Sequence, residues 1–385
     1  MNEQKAVPNI RFKGFDDKFK VGKLKNYFII KDGTHSSPQY IKSGFPLITS
    51  KNLKESGLQL ENVSYISKSD FDEINKRSKV DVGDILFGMI GTIGTPVMIK
   101  ENNFAIKNVA LIKELSKPEV LNIWLIYYFQ SPAFDKFIHF KSTGGTQRFL
   151  ALGVIQNMEF KFPLKKEQQK ISDLFTKLDK LLDLQQQKID KLELLKKALL
   201  QKLFPRHDAQ IPEFRFKGCN GEWEDCLVGN LLEVVPNKKY ITEASKKGLN
   251  PVIQQGEKPI LGFSNKAPYK EYKKVVLFGD HTLSLYKPES PFLIATDGIK
   301  ILYVKDWNGY FLFAFLQKYK PDSEGYKRHF SILKSKKAKF TVIDEEQQKI
   351  GNLLSKVDQL IELENKKLHN LQQVKKCLLQ NMFVE

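Results

Sequence analysis

Gly279-Asp280-His281-Thr282 sets a carboxylate, an imidazole and a hydroxyl side by side after an apolar run, residue types able to hold a metal or relay a proton. No second histidine, cysteine or carboxylate cluster completes such a site. A turn that brings His281 to a surface therefore competes with a catalytic dyad as the reading of this tetrad. Gly88-Met89-Ile90-Gly91-Thr92-Ile93-Gly94-Thr95 is the most glycine-rich stretch, but its spacing is neither GxGxxG nor GxxxxGK(S/T), and the next basic residue, Lys100, lies beyond Pro96. It reads as two strands joined by a glycine turn, or as a loop exposing backbone to a nucleic acid. The cysteines Cys219, Cys226 and Cys377 form no CxxC pair and have no histidine cluster beside them, which argues against a disulfide framework and against a zinc site. No NPPY-type methyltransferase motif, Walker box, HExxH or nuclease carboxylate–lysine set occurs. A self-sufficient enzyme is not expected, nor a metal or cofactor in this chain.

What remains are polar side chains suited to base edges or phosphates, grouped in expected loops. They are Thr34 and His35; Ser50, Lys51 and Asn52; Gln147 and Arg148, which follow a glycine pair in the run Ser142 to Arg148; Gln254 and Gln255; His281; and Arg328 within Tyr326-Lys327-Arg328-His329. Taken singly, such residues are more often plain surface, with the Ser142 to Arg148 loop evenly balanced between the two readings. The charge balance lifts them above that: 62 Lys and Arg oppose 44 Asp and Glu, a formal charge of +18. A surface so basic seeks a polyanion, and nucleic acid, an anionic membrane surface or an acidic protein would each satisfy the arithmetic.

These loops need a frame, and the frame is written twice. The 38-residue stretch from Glu167 to Phe204 aligns without a gap to Glu346 to Phe383 at a shift of 179, with about half the positions identical, which chance does not produce. Arg11-Phe12-Lys13-Gly14 recurs as Arg215-Phe216-Lys217-Gly218, each followed by an aromatic, Phe19 and Trp223. Each copy runs from an RFKG head through a variable body to an EQQKI helix. The second body is 25 residues shorter than the first and differs from it in sequence. One architecture presenting two unlike surfaces is the expectation.

In the repeated helices apolar residues recur at spacings of four and three: Leu174, Leu178, Leu181, Leu192, Leu195 and Leu199 in the first copy, and Leu353, Val357, Leu360, Leu371, Val374 and Leu378 in the second. The intervening positions are polar, Gln185 and Lys188 against Glu364 and Lys367. A heptad seam with a polar centre predicts that the helices pair with each other as a coiled coil of specified register. Two separate amphipathic helices on separate cores are the alternative, although helices of this size reach roughly 57 Å, longer than a small domain needs. Strand-like pieces occur at Asp84–Phe87, Ala105–Ile112, Lys274–Phe278 and Phe292–Ala295, with helical stretches at Val120–Phe129 and Trp307–Tyr319. Thr296-Asp297-Gly298 is first a hairpin-turn signal. Each body is expected to be mixed α/β (α+β).

The expected domains are a first body at 1–163, a first helix at 164–204, a linker at 205–213, a second body at 214–343 and a second helix at 344–385. The polar amino terminus lacks the apolar core of a signal peptide, and the longest apolar run, Ile123 to Phe129, falls far below the ~18 residues of a membrane span. A reducing, cytoplasmic location and no membrane association are expected.

The doubled order of RFKG head, divergent body, Phe162-Pro163 and Glu167-Gln168-Gln169-Lys170-Ile171 resembles the specificity subunit of type I restriction-modification enzymes across essentially the whole chain. Gly83-Asp84-Ile85-Leu86-Phe87 and Phe278-Gly279-Asp280-His281-Thr282 add to the likeness. It departs at Phe19, where a tryptophan is common, and at Val342-Ile343 in place of the second Phe-Pro. The resemblance implies two target recognition domains, each reading one half of a split, asymmetric site in double-stranded DNA, held apart by an antiparallel coiled coil in an internal pseudo-two-fold repeat. It further implies two docked modification subunits that methylate adenine with S-adenosylmethionine, and restriction subunits that cleave DNA with ATP and Mg. The competing classes are a basic coiled-coil scaffold, whose DNA affinity would depend on salt but not sequence, and an enzyme of unrecognised mechanism, which would turn over alone.

Overall fold

The computed structural model describes residues 7–54, 57–91, 93–142, 149–323, 325 and 328–384. The chain forms two compact units: residues up to Leu184 together with those from Leu368 onward, and Gln185–Lys367. Each long helix, Lys165–Lys202 and Asp344–Met382, gives one part to each unit.

In the first unit the sheet is built around Val109–Glu114, which pairs antiparallel with Phe28–Asp32 on one side and Ile85–Gly88 on the other; Val97–Met98 follows Ile85–Gly88. Strand side chains alternate between faces, so this apolar run fills two cores at once. Ala110 and Ile112, with Ile85 and Phe87, pack on Trp124 and Leu125 of helix Asn122–Tyr128. Val109, Leu111 and Leu86 face Ile48, Leu53, Val97 and Phe104. A smaller sheet joins Tyr40–Ile41, Ser64–Ile66, Phe45–Ile48 and Ala105–Ile106, the last two parallel.

The second unit repeats this plan. Ile299–Tyr303 lies antiparallel between Glu233–Val235 and Val276–Gly279, with Leu285–Tyr286 beyond. Asn250–Ile253 pairs parallel with Leu293–Ile294 in the smaller sheet. In both units a short strand after the head pairs antiparallel with the strand leading into the long helix, Lys20–Lys23 with Glu159–Phe162 and Glu224–Leu227 with Lys337–Phe340.

Two local expectations are corrected. The run Ala105–Ile112 is not one strand: Asn108 adopts φ +56, and the Lys107-Asn108 corner passes the chain from the smaller sheet to the larger. Asp297-Gly298 likewise joins strands of different sheets, Leu293–Ile294 and Ile299–Tyr303, and is a crossing rather than a hairpin.

The helix segments run antiparallel within each unit. In the first, Asp179 pairs with Lys375 (2.6 Å) while Phe175 meets Phe383; in the second, Gln185 meets Glu364 while Lys196 pairs with Asp358 (2.5 Å). The two ion pairs are the same pair in the two sequence copies. The terminal phenylalanines are equivalent too: Phe383 packs against Trp124 in the first unit, and Phe204 against Trp223 and Phe311 in the second.

Candidate nucleic-acid interface

Both heads are tied to their helices by the same buried contact. Arg11 donates Nε and Nη2 to the two oxygens of Glu167, both at 2.8 Å, and Arg215 does so to Glu346 at 2.8 and 3.0 Å. Each glutamate is 1% exposed. A bidentate, desolvated Arg–carboxylate pair is among the more directional contacts available, which explains why R of RFKG and E of EQQKI recur together. The adjacent glutamine completes the joint: Gln168 donates to Glu119 O and Pro163 O and accepts from Leu121 N, and Gln347 donates to Thr341 O. Phe19 lies under the Arg11 guanidinium, 5.3 Å from ring centroid to Cζ.

Held this way, the first body gathers loops at the ends of its central strands. His35 Nε2 lies 2.6 Å from Asp32 Oδ2 and its Nδ1 2.8 Å from Asn108 Oδ1. Arg77, in the last turn of helix Lys68–Ser78, pairs with the other Asp32 oxygen. The Asp32 bond, then the Asn108 bond, raise the His35 pKa above the ordinary imidazole value. Lys107 Nζ reaches Ser37 Oγ (2.9 Å), and Lys51 is exposed on the neighbouring turn Ser50–Asn52. Asn52 is corrected from a base-reading candidate to a structural residue. It is buried, its Oδ1 accepts from Thr49 N and Oγ1, and its Nδ2 donates to Gln59 O. Gln147 and Arg148 lie outside the described residues. The glycine run behaves as a turn: Gly91 and Gly94 have φ +75 and +88, between the paired strands Ile85–Gly88 and Val97–Met98.

The second body gathers the equivalent loops around a neutral amide. Gln255 Oε1 accepts from His281 N at 3.1 Å, and the Gln255 side chain lies beside Gly279 and Gly298; a Cβ at Gly298 would stand 2.4 Å from Nε2. Gln254 is tied into its own turn, with Nε2 donating to Lys258 O at 2.9 Å. Arg328 is exposed next to His329, whose N donates to Asp280 O (2.8 Å). Asp280 itself is buried and accepts from Phe330 N at 2.8 Å. The Gly279–Thr282 tetrad is thus a turn whose carboxylate anchors the helix Phe330–Lys334. Among the described residues no group of three or more His, Cys, Asp or Glu is placed to hold a metal. No described helix is long and apolar enough to cross a membrane.

The helix seam runs through Ile171, Phe175, Leu178, Leu182, Gln185, Ile189 and Leu192, and onward at the same spacing through Lys196 and Leu199. Its equivalents in the second helix include Leu354, Val357, Ile361, Glu364, Leu371 and Leu378. Of the spaced positions, Leu178 and Val357 are buried, Leu192 and Leu371 are half-buried, and Leu199 and Leu378 pack partly buried against the body cores. The alternate positions fall one residue further on, so Leu181, Leu195, Leu360 and Val374 are 46–50% exposed, and Leu174 and Leu353 pack partly buried against the body cores. Apolar neighbours at 181–182 and 360–361 leave spacing ambiguous, and burial resolves it. At the polar centre Glu364 is 3% exposed and accepts from Gln185 Nε2 (2.7 Å), Lys188 Nζ (2.9 Å) and Lys367 Nζ (3.0 Å). These bonds, Gln185 first, hold its carboxyl down to about 2.

Asp32, Arg77 and Asn108 escaped sequence reading. Arg77 carries no signal of its own in the sequence, and the one available signal for Asn108 is a poor strand former inside an apolar run.

A family model described as the type I restriction modification DNA specificity domain matches residues 16–194. A protein assigned as the type I restriction enzyme MjaX specificity subunit, from Methanocaldococcus jannaschii, is 24% identical over 405 residues, covering 94% of this chain and 92% of that protein. Among solved structures, the S subunit of a type I restriction-modification system from M. genitalium matches with a TM-score of 0.69 at 16% identity, over 98% of this chain and 99% of that one. A chain from a study of complex assembly and conformational transition in the type I R-M system matches with a TM-score of 0.55 at 14% identity, over 95% and 97%. At these identities the structural likeness speaks for a shared fold.

Proposed function

We propose that the chain is a specificity subunit of a type I restriction-modification enzyme and that its two loop clusters each read one half of a split, asymmetric DNA site. The observation that carries this is the pairing of an identical clamp, Arg11–Glu167 and Arg215–Glu346, with unlike loops: a charged cluster around Asp32 in one body and the neutral Gln255 slot in the other. Identical clamps orient both bodies alike on their helices, and unlike loops then contact unlike base sequences.

The bodies at 1–163 and 214–343 act as target recognition domains. Lys51, Lys107, Arg77 and Arg328 supply cations toward the phosphates, with Gln147 and Arg148 as further candidates. The paired helices carry the docking of two modification subunits, which bind S-adenosylmethionine and methylate adenine. Restriction subunits using ATP and Mg complete the assembly, and this chain contributes recognition without a reacting group. The assembly works in the cytoplasm. Affinity falls with added salt through counterion release, while discrimination between sequences comes from the loops.

The test is methylome sequencing of a methylation-deficient host expressing this chain with its modification partner. Methyladenine confined to one bipartite, asymmetric motif is the expected result. Absence of any motif from a verified intact complex would favour a scaffold that binds DNA without sequence preference.

A further inference from the structure

One carboxylate in the first body organises three elements. Asp32 ends the strand Phe28–Asp32 and is 6% exposed, so its oxygens depend on protein partners rather than bulk water. Arg77, from helix Lys68–Ser78, takes Oδ1, and His35, in the loop that follows the strand, takes Oδ2. The other ring nitrogen of His35 faces Asn108 Oδ1. A neutral imidazole has one N–H and one lone pair, whereas both nitrogens here face oxygen acceptors, an arrangement that the doubly protonated ring satisfies with two donated bonds.

The same geometry turns other groups outward. Asn108 holds the left-handed conformation, φ +56, at the corner between the two sheets, and among the described residues its Nδ2 has no acceptor. Arg77 spends one amino group on Asp32, and its side chain is 62% exposed. The loop carrying His35 cannot drift, because Gly33 is packed so tightly that a Cβ there would stand 2.3 Å from Ile106 O. Asp32, Arg77 and Lys107 are the charged groups around the ring: Asp32 favours its protonated form, Arg77 opposes it, and Lys107 is turned to Ser37 and Tyr40.

Building on the DNA-reading function proposed above, we infer that His35 is a positioning residue of the first half-site. Its imidazolium, strung between Asp32 and Asn108, presents the Asn108 amide N–H2 and the free edge of Arg77 to the DNA, so reading of that half-site requires a proton on His35. Asn amides and Arg guanidinium groups are the side chains that pair with base edges and phosphates. The second body has no equivalent, since its corresponding loops meet around the Gln255 amide.

The experiment uses the complex of the full chain with its modification subunit and a duplex carrying the motif found by methylome sequencing. Binding is measured from pH 6 to 9 at fixed ionic strength, for the wild type and for His35→Gln, whose site is a 57% exposed side chain. Wild-type affinity is expected to weaken by up to about tenfold per pH unit above the His35 pKa, as loss of one required proton dictates. In His35→Gln that limb disappears, and discrimination falls at base changes in the first half-site while holding at the second. Asp32→Asn moves the midpoint to lower pH. The same pH profile in wild type and His35→Gln would overturn the inference while leaving DNA reading intact. A His35 ring still neutral at pH 6, seen by 15N NMR of histidine-labelled protein, would do the same. Loss of motif preference at every pH would bring down the recognition reading itself, and this inference with it.

Discussion

The two bodies meet their helices through the same chemistry and end in different chemistry. At the base, Arg11 and Arg215 make matching bidentate contacts to glutamates that are 1% exposed, and each neighbouring glutamine ties down backbone carbonyls. At the loop ends, the first body is arranged around a buried carboxylate held by Arg77 and His35, and the second around an uncharged amide wedged by two glycines. The duplicated fold is therefore alike where each body joins its helix and has diverged at its loops.

The largest effect should come from the shared end. Arg11→Ala and Arg215→Ala each leave a buried glutamate without its cation, which costs about 3–5 kcal/mol, with Glu346 still accepting from Thr341 Oγ1 at 2.7 Å. Urea unfolding of the two variants should show a large loss in each, smaller for Arg215→Ala because Glu346 keeps the Thr341 hydroxyl, and a clamp that could be removed at little cost would break the equivalence of the two bodies. Leu178→Asp, at an 8% exposed seam position, should cost about 3 kcal/mol through lost apolar burial and a desolvated charge.

At the divergent end the effects should be smaller in stability and confined to one half-site. Gly298→Ala displaces the Gln255 side chain; it should reduce discrimination at the second half-site by about 1–3 kcal/mol while changing stability by about 1 kcal/mol or less. Competition binding with duplexes altered in one half at a time measures this. Equal losses at both halves would contradict modular reading.

The polar centre of the seam gives a pH test. The Glu364 pKa is lowered on folding, so its stabilisation is fully present above the ordinary carboxylate value and is lost as pH falls toward about 2. Glu364→Gln should lower the melting temperature at neutral pH and flatten the acid side of the stability profile, which thermal melts between pH 2 and 7 would record. Smallest of all should be Leu181→Asp. This side chain is 50% exposed, beside the seam rather than in it, and its change should stay within about 0.5 kcal/mol.

Much of the frame was legible from residues alone. Repetition of RFKG and EQQKI marked the two copies, since both ends of each clamp are invariant between them, and the 4–3 spacing announced the paired helices. The seam was legible at one position of each pair. Where leucine or isoleucine occupies adjacent positions, as at 181–182 and 360–361, periodicity cannot choose between them, and packing against a partner does. Of the candidate loop residues, His35 and Gln255 sit at the centres of their clusters, while Asn52 is used up inside a buried turn. Nothing in a polar side chain's own type separates those fates.

Composition and order in the sequence thus determined that the chain is basic, duplicated and organised by two long helices, because charge and heptad spacing are properties of nearby residues. Only the tertiary structure decided which polar side chains stay exposed and which are used up inside the fold. Asp32, His35, Arg77 and Asn108 are spread over 77 positions and are brought together by strand pairing and one left-handed corner. Hydrogen bonds that span such separations depend on where the sheets place their ends, which local pattern does not encode.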